Sequence, residues 1–276
     1  LKEDLSLALD VLSDMIQRPT FPDHELEKER GVIVQEIGMA NDTPDDLVFD
    51  LFQETAYPGQ SLGAPILGTS DIIQGMKKDT LFDYVRRFYT PKKLVVSAAG
   101  NVTHEEMLEH VQEYFTDLPE DGNNSFATAS YKGGENILAK ELEQTHIVLG
   151  FEGIDKKRDD YYAAVLLAVI MGGGMSSRLF QEVREKRGLA YSVYASHSAY
   201  DDAGQFEIYA GTGPEQTAEL TSVLCDEIKK IVASPVSQKE LASAQSQLRA
   251  SMLMSRESML SRANRQAKYM INFNKK

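Results

Sequence analysis

The chain has 276 residues, of which 42% are hydrophobic and 26% charged, a length and composition typical of a folded protein with up to two domains. No apolar run approaches the roughly 20 residues that cross a bilayer, so we predict no membrane span. The formal net charge of −13 disfavours nucleic acid as a partner, because its phosphates would be repelled, and suits basic ligands or substrates.

The ends of the sequence interrupt patterned segments. Leu1 is followed at once by a helical pattern without the basic-then-apolar order of a signal peptide, and the last fifteen residues are still helix-like. We therefore expect the chain to be part of a longer protein. A single cysteine, Cys225, excludes an internal disulfide and fits a reducing compartment.

The first predicted helices carry an unusual pair of acids. The segment LSLALDVLSDMI (5–16) has apolar residues at helical spacing, and ERGVIVQEIGM (29–39) is a second amphipathic pattern. In the second, Glu29 and Glu36 are seven positions apart, so they share a helix face and stand about 10 Å apart along its axis. Either the two acids form a solvated stripe, or one binds a metal and the other supports it.

The middle of the chain alternates strands and helices. KKLVVSAAGNV (92–102) predicts a strand, and THEEMLEHVQEYF (103–115) predicts a helix. THIVLGFEG (145–153) predicts a further strand, followed by a helix over 159–171. The Gly-, Asn- and Ser-rich residues 119–136 predict a linker, which divides the chain into a first domain at 1–118 and a second domain at 137–276.

A weak internal repeat relates the two predicted domains. Residues 7–36 and 218–251 both follow the pattern of a helix, a short proline-containing loop and a second helix. In the second copy, Ala244 and Ser251 replace Glu29 and Glu36. Because the repeated unit tolerates the loss of both acids, a purely structural role for them is disfavoured.

A second pair of candidate residues lies where a predicted helix meets a strand. After the glycines at 172–174, RLFQEVREKR (178–187) predicts a helix that ends at Gly188, and LAYSVYAS (189–196) predicts a strand. Such a junction would bring Arg184 near Tyr191, where the two would polarise a carbonyl or stabilise an oxyanion. The alternative is an arginine held in a salt bridge and a half-buried tyrosine.

No complete metal motif is present in the sequence. None of the five histidines has a partner at the spacing of a zinc-binding helix; His104–Glu105 begins such a motif, but Leu108 stands where the second histidine is needed. One glutamate alone cannot hold zinc, because a catalytic site takes three protein ligands.

Four segments closely resemble the pitrilysin-type zinc peptidases, with the mitochondrial processing peptidase and its bacterial relatives as the nearest branch. They are ELEKERGVIVQEIGMANDTPDD, YPGQSLGAPILGTSDII, FYTPKKLVVSAAGNV and GGGMSSRLFQEVREKRGLAYSVYASHSAYDDAGQFEIY. The resemblance implies zinc as cofactor, Glu36 as a zinc ligand, Glu29 as a supporting acid, and Arg184 and Tyr191 as the second-domain catalytic pair. The family's His-x-x-Glu-His motif, which carries the other ligands and the general base, is absent, so this chain alone is expected to be inactive.

The resemblance also implies a fold, partners and a compartment. The fold is α+β, with two homologous domains, each a mainly antiparallel sheet backed by helices, and both incomplete here. The substrate is a peptide, a presequence or an unfolded polypeptide, and the assembly is a homodimer or heterodimer. The compartment is the bacterial cytoplasm or the mitochondrial matrix. The alternative function is a non-catalytic core or scaffold subunit of the same fold, as in respiratory-complex relatives.

Overall fold

A computed structural model describes residues 1–120 and 126–273 of the chain. These residues form ten α-helices, numbered in chain order: α1 (Leu5–Gln17), α2 (Asp23–Asp42), α3 (Pro44–Ala56), α4 (Ser70–Gly75), α5 (Lys78–Phe88), α6 (His104–Tyr114), α7 (Tyr161–Gly172), α8 (Thr217–Ala233), α9 (Gln238–Met254) and α10 (Met259–Phe273). Short 3-10 helices lie at Lys2–Asp4, Ser61–Gly63, Pro91–Lys93 and Pro214–Gln216, and a π-helix spans Phe180–Glu185. None of these helices combines the length and the apolar content that a bilayer crossing requires.

The chain divides into two compact units, each assembled from stretches that are separate in the sequence. Unit 1 comprises Leu1–Gln35, Ser70–Phe126 and Met252–Lys276, and unit 2 comprises Glu36–Thr69 and Ala127–Ser251. The predicted domains at 1–118 and 137–276 were defined by the predicted linker between them, and they stay a prediction. Of the predicted linker at 119–136, residues 121–125 lie outside the described part of the chain.

Both helix pairs predicted from the repeat are present. The first pair is α1 and α2, the second is α8 and α9, and each is joined by a short loop that contains proline. In unit 1, α1 is tied to the end of α6, since Gln17 donates from Nε2 to the Tyr114 carbonyl at 2.8 Å and Ser6 shares a 2.7 Å hydrogen bond with the Tyr114 hydroxyl. The repeated pattern therefore reports a repeated piece of secondary structure.

The prediction of a strand at 92–102 is wrong. Leu94 has extended backbone angles, with φ −102° and ψ 128°, but residues 94–99 are not paired with any strand among the described residues. The segment is instead held through a side chain, because the Ser97 hydroxyl donates to the Ala263 carbonyl of α10 at 2.9 Å. An extended segment becomes a strand only with a neighbour to share its backbone hydrogen bonds. The described residues of unit 1 accordingly contain no sheet.

Unit 2 contains an antiparallel sheet of three strands, β1 (Thr145–Glu152), β2 (Ala190–Ala199) and β3 (Gly204–Thr212), in the order β1–β3–β2. The strands predicted at 145–153 and 189–196 are confirmed as β1 and β2. Ile208 and Ala210 of β3 point to one face, where they join Leu220 and Leu224 of α8 in the main hydrophobic core. Helices and an antiparallel sheet together confirm the α+β class.

The two faces of this sheet are covered by different helices. On the core side, α7 packs so closely on β2 that a Cβ on Gly172 would lie 2.0 Å from the Ala195 nitrogen. On the other side, Phe49 of α3 stacks on Tyr209 and Tyr194, with ring centroids 5.6 and 6.5 Å away. Burial, reinforced by Asp45, raises the pKa of Tyr209 to about 12. The tyrosines of this face therefore stay neutral and serve packing.

A partly buried ion pair joins the start of the helical turn before β2 to α9. Arg178 donates from Nε to Glu240 Oε1 at 2.7 Å, and Glu240 also accepts hydrogen bonds from the Ser237 hydroxyl and backbone nitrogen at 2.7 and 3.0 Å. The hydrogen bonds from Arg178 and Ser237 lower the pKa of Glu240 from 4.5 to about 2. The ion pair anchors the start of this helical turn, at Arg178, to α9.

We predict that this ion pair makes the free energy of unfolding depend on pH. The folded-state pKa of Glu240 lies below the unfolded value, so the pair stabilises the fold above pH 4.5 and this contribution is lost as the pH falls towards 2. Glu240→Gln should lower the free energy of unfolding at pH 7 by about 1 kcal/mol. The difference from wild type, measured by urea unfolding, should shrink towards pH 3.

The matched control for this prediction is Glu141→Gln, which removes an exposed carboxylate from the same unit. It should leave stability within about 0.5 kcal/mol of wild type at both pH values. A Glu240→Gln deficit that is equally large at pH 7 and pH 3 would show that the loss does not come from the ionised pair.

Candidate functional site

The junction between α7 and β2 contains an expanded helical turn. The helix predicted at 178–187 is present, but its residues Phe180–Glu185 are wound as a π-helix. The turn ends at Gly188, whose φ of +62° is the left-handed conformation that favours glycine. The Leu189 nitrogen then donates to the Val183 carbonyl at 2.9 Å. π-helical turns are rare and occur often at functional sites.

The strand that follows begins with a β-bulge at Tyr191. Ala190 pairs with Thr212 and Ser192 pairs with Gly211, so Tyr191 is an extra residue without a partner on β3. The Thr212 hydroxyl donates to the Leu189 carbonyl at 2.6 Å and holds the backbone just before the bulge. A bulge changes the direction of a side chain relative to the regular alternation. The Tyr191 side chain is accordingly 79% exposed.

These two irregularities bring Arg184 and Tyr191 together. The Arg184 guanidinium carbon lies 4.2 Å from the centre of the Tyr191 ring and 4.8 Å from the centre of the Phe180 ring. A cation–π contact contributes about 0.5–1 kcal/mol even at an exposed position, enough to favour one arrangement of a long side chain. The catalytic role of the pair stays a prediction, but its members are in contact.

The cations near Arg184 form ion pairs, whereas Arg184 has no ion-pair partner in the described part of the chain. Arg178 binds Glu240, and Lys186 and Arg187 both bind Glu182, the second with Nη1 at 2.7 Å from Oε2. Hydrogen bonds from these two cations lower the pKa of Glu182 to about 2. Glu182 therefore stays ionised and bound to Lys186 and Arg187. Within residues 1–120 and 126–273, Arg184 forms no ion pair and no side-chain hydrogen bond. Its N–H donors are therefore available to a ligand.

The alternative interpretation of Arg184 and Tyr191 does not fit this geometry. It required an arginine in a salt bridge and a half-buried tyrosine, but the arginine lacks a carboxylate partner in the described chain and the tyrosine is mostly exposed. An arginine held by cation–π contacts keeps its N–H donors free of oxygen acceptors. A partly buried guanidinium beside an exposed phenol has the donors to form hydrogen bonds with one carbonyl oxygen.

Glu29 and Glu36 both lie on α2, as predicted, and both are exposed. Other acids of this helix are paired: Glu25 with Lys28 at 2.9 Å, and Glu27 with Arg30. Glu29 and Glu36 have no such partner in the part of the chain that the structure describes. Their exposure is compatible with a ligand role and equally with a solvated stripe, so the two interpretations stay open.

The residues present do not complete a zinc site. No group of three or more His, Cys, Asp or Glu side chains that could hold a metal ion occurs among the described residues. A catalytic zinc needs three protein ligands, and Glu36 supplies at most one of them. Nor does Glu36 form a hydrogen bond or ion pair with Arg184 or Tyr191 in the described structure. The donor set of this chain alone therefore does not fit zinc.

Sequence reasoning missed Phe180. It stands four residues before Arg184, the spacing that puts two side chains on one helix face, and this was the available signal. The bulge at Tyr191 could not be read from the same stretch, because it depends on which residues of β3 lie opposite.

Two family profiles match most of this chain. The profile described as "Peptidase M16 inactive domain" matches residues 75–248, and the profile "Insulinase (Peptidase family M16)" matches residues 1–70. A protein of Rickettsia bellii named "Uncharacterized zinc protease" is 41% identical over 258 residues, covering 93% of this chain and 62% of its own length. The chain thus spans somewhat less than two thirds of that relative.

Solved structures share the fold at low sequence identity. A peptidase M16 inactive domain from Pseudomonas fluorescens superposes with a TM-score of 0.89 at 22% identity, covering 96% of this chain and 64% of that one. A chain of Complex III2 from Candida albicans gives a TM-score of 0.86 at 17% identity, covering 99% and 68%. At these identities the likeness concerns the fold.

Proposed function

The chain belongs to peptidase family M16, and on this premise we propose that it is part of a zinc-dependent endopeptidase of the processing-peptidase type, which cleaves peptides or presequences. The observation that carries the proposal is the contact between Arg184 and Tyr191, with the arginine unpaired among the described residues. The names of relatives such as the Rickettsia bellii protein support a zinc protease.

We assign to this pair the binding of the peptide carbonyl that is attacked. Arg184 and the Tyr191 hydroxyl each donate a hydrogen bond to the carbonyl oxygen, and these bonds strengthen as negative charge develops on it. Removing one such donor from an enzyme costs about 2.7–4 kcal/mol of transition-state stabilisation. Arginine suits the task because its donors are planar and its charge is permanent.

The metal in this proposal is shared between this chain and residues outside it. Glu36 contributes one ligand and Glu29 supports the site from the same helix, while the remaining ligands come from beyond the chain. The 276-residue chain alone is accordingly inactive as a peptidase. The acidic net charge of −13 supports a preference for basic peptides. The single cysteine supports a reducing compartment, the bacterial cytoplasm or the mitochondrial matrix.

The second candidate is a non-catalytic core or scaffold subunit of the same fold. The fold likeness to a chain of Complex III2 from Candida albicans favours it, although that likeness extends to the fold alone. Glu29 and Glu36 have no ion-pair partner among the described residues, and this favours the peptidase, because a scaffold gains no stability from unpaired acids. Metal analysis of the complete protein separates the two candidates.

We predict that Glu36 and Glu29 differ in their effect on metal binding. In the complete protein, Glu36→Gln replaces an anionic ligand with a neutral one and should lower both zinc content and turnover at least tenfold. Glu29→Gln should lower turnover with a smaller loss of zinc, because it stands about 10 Å further along the helix. Zinc content per chain and peptide hydrolysis measure the two effects.

The matched control for both variants is Glu25→Gln, on the same helix, which changes only exposed surface contacts with His24 and Lys28. It should retain zinc and turnover. Full zinc occupancy in Glu36→Gln would contradict the assignment of the ligand, and absence of zinc from the wild-type complete protein would favour the scaffold subunit.

We further propose that the complete protein acts as a homodimer or heterodimer in which Arg184 and Tyr191 serve the partner's metal site. In a homodimer, Tyr191→Phe and Glu36→Gln should each be poorly active alone. Random mixing makes mixed dimers half of the population, and each keeps one site with both groups intact. Mixing should therefore restore activity to about a quarter of wild type.

Recovery is measured by peptide hydrolysis after denaturing and refolding the two variants together, with subunit exchange verified by two affinity tags. Each variant refolded with itself is the control and should stay inactive. Activity that remains at the control level in verified mixed dimers would place the pair in its own chain's site.

A further inference from the structure

Phe180 is a large apolar side chain that does not belong to the main core. Its helical neighbours Leu179 and Val183 are completely buried in that core, together with residues of β2, β3 and α8. Phe180 is absent both from the core and from the partly buried residues packed against it. Its ring instead lies 4.8 Å from the Arg184 guanidinium carbon.

The Arg184 guanidinium therefore contacts two aromatic rings. The Tyr191 ring, at 4.2 Å, comes from the bulge on β2, and the Phe180 ring comes from the π-helix four residues before the arginine. Two rings restrict the rotamers of a side chain that otherwise has four free torsions. Both are cation–π contacts, so neither ring supplies an oxygen acceptor to the N–H donors of Arg184.

We propose that Phe180 is a positioning residue, whose ring holds Arg184 against Tyr191 so that both can donate to the same peptide carbonyl. The proposal rests on the function proposed above and names a residue that acts through Arg184 rather than on the substrate. Phe180 and Arg184 both belong to the π-helical turn and are partly buried, and the bulge at Tyr191 supplies the second ring.

A residue that acts only through Arg184 has a distinct kinetic signature. Phe180→Leu in the complete protein should lower kcat about tenfold, with KM changed less than twofold and zinc content unchanged, because the carbonyl donors lose their alignment. Phe180→Tyr keeps the ring and should retain most of the activity. In an Arg184→Ala background, Phe180→Leu should have no further effect, because there is no guanidinium left to position.

The test combines this double-mutant cycle with a measurement that does not need activity. In the 276-residue chain, the Arg184 guanidinium carbon lies 4.2 and 4.8 Å from the centres of two aromatic rings, so their ring currents should displace the NMR resonance of the adjoining Nε–H proton. Phe180→Leu should move this resonance towards the position of an unstacked arginine, whereas Phe180→Tyr should not. Phe151→Leu, which removes a partly exposed ring on β1, is the matched control and should change neither resonance nor kcat.

The outcomes separate the two proposals. A loss of kcat in Phe180→Leu that persists in the Arg184→Ala background, or an Arg184 resonance that Phe180→Leu leaves in place, overturns the positioning role. If the wild-type complete protein cleaves no peptide, the proposed function fails, and the resonance decides the arrangement of the rings by itself. Should Phe180→Leu fail to fold, as judged by thermal melting, Phe180→Met replaces it under the same criteria.

Discussion

The arrangement of the candidate site depends on how the backbone is held between the π-helix and β2. Val183 and Leu189 are buried on either side of the Gly188 turn, and the Leu189 backbone bonds both to the Val183 carbonyl and to the Thr212 hydroxyl. Core packing thus fixes the two ends of the turn. Arg184, which is partly buried, and Tyr191, which is exposed, are therefore held close together by residues that take no part in the chemistry.

Charge pairing decides which groups near this turn remain available. Arg178, Lys186 and Arg187 are all committed to Glu240 or Glu182. A carboxylate bound to two cations has little remaining attraction for a third, so Glu182 does not draw Arg184 away from the two rings. The same contrast holds on α2, where Glu25 and Glu27 are paired while Glu29 and Glu36 lack partners in the described residues.

Local sequence patterns predicted much of the secondary structure but only part of the candidate site. The helices α1, α2, α8 and α9 and the strands β1 and β2 were predicted, because helical and alternating periodicities are properties of the segments themselves. The strand at 92–102 was wrong, because pairing depends on residues far away in sequence. Spacing across a helix–strand junction indicated that Arg184 and Tyr191 meet. The π-helical winding and the bulge depend on packing and on register with β3, which no local pattern reports.

The central claim is that Arg184 and Tyr191 form a prepared binding site for a peptide carbonyl. A crystal structure of the complete protein with zinc and an uncleaved peptide tests it most directly. We predict that an Arg184 nitrogen and the Tyr191 hydroxyl both lie about 2.7–3.2 Å from the oxygen of the carbonyl at the metal. A peptide bound at the metal with both groups more than about 6 Å from that oxygen, beyond hydrogen-bonding reach, would contradict the account.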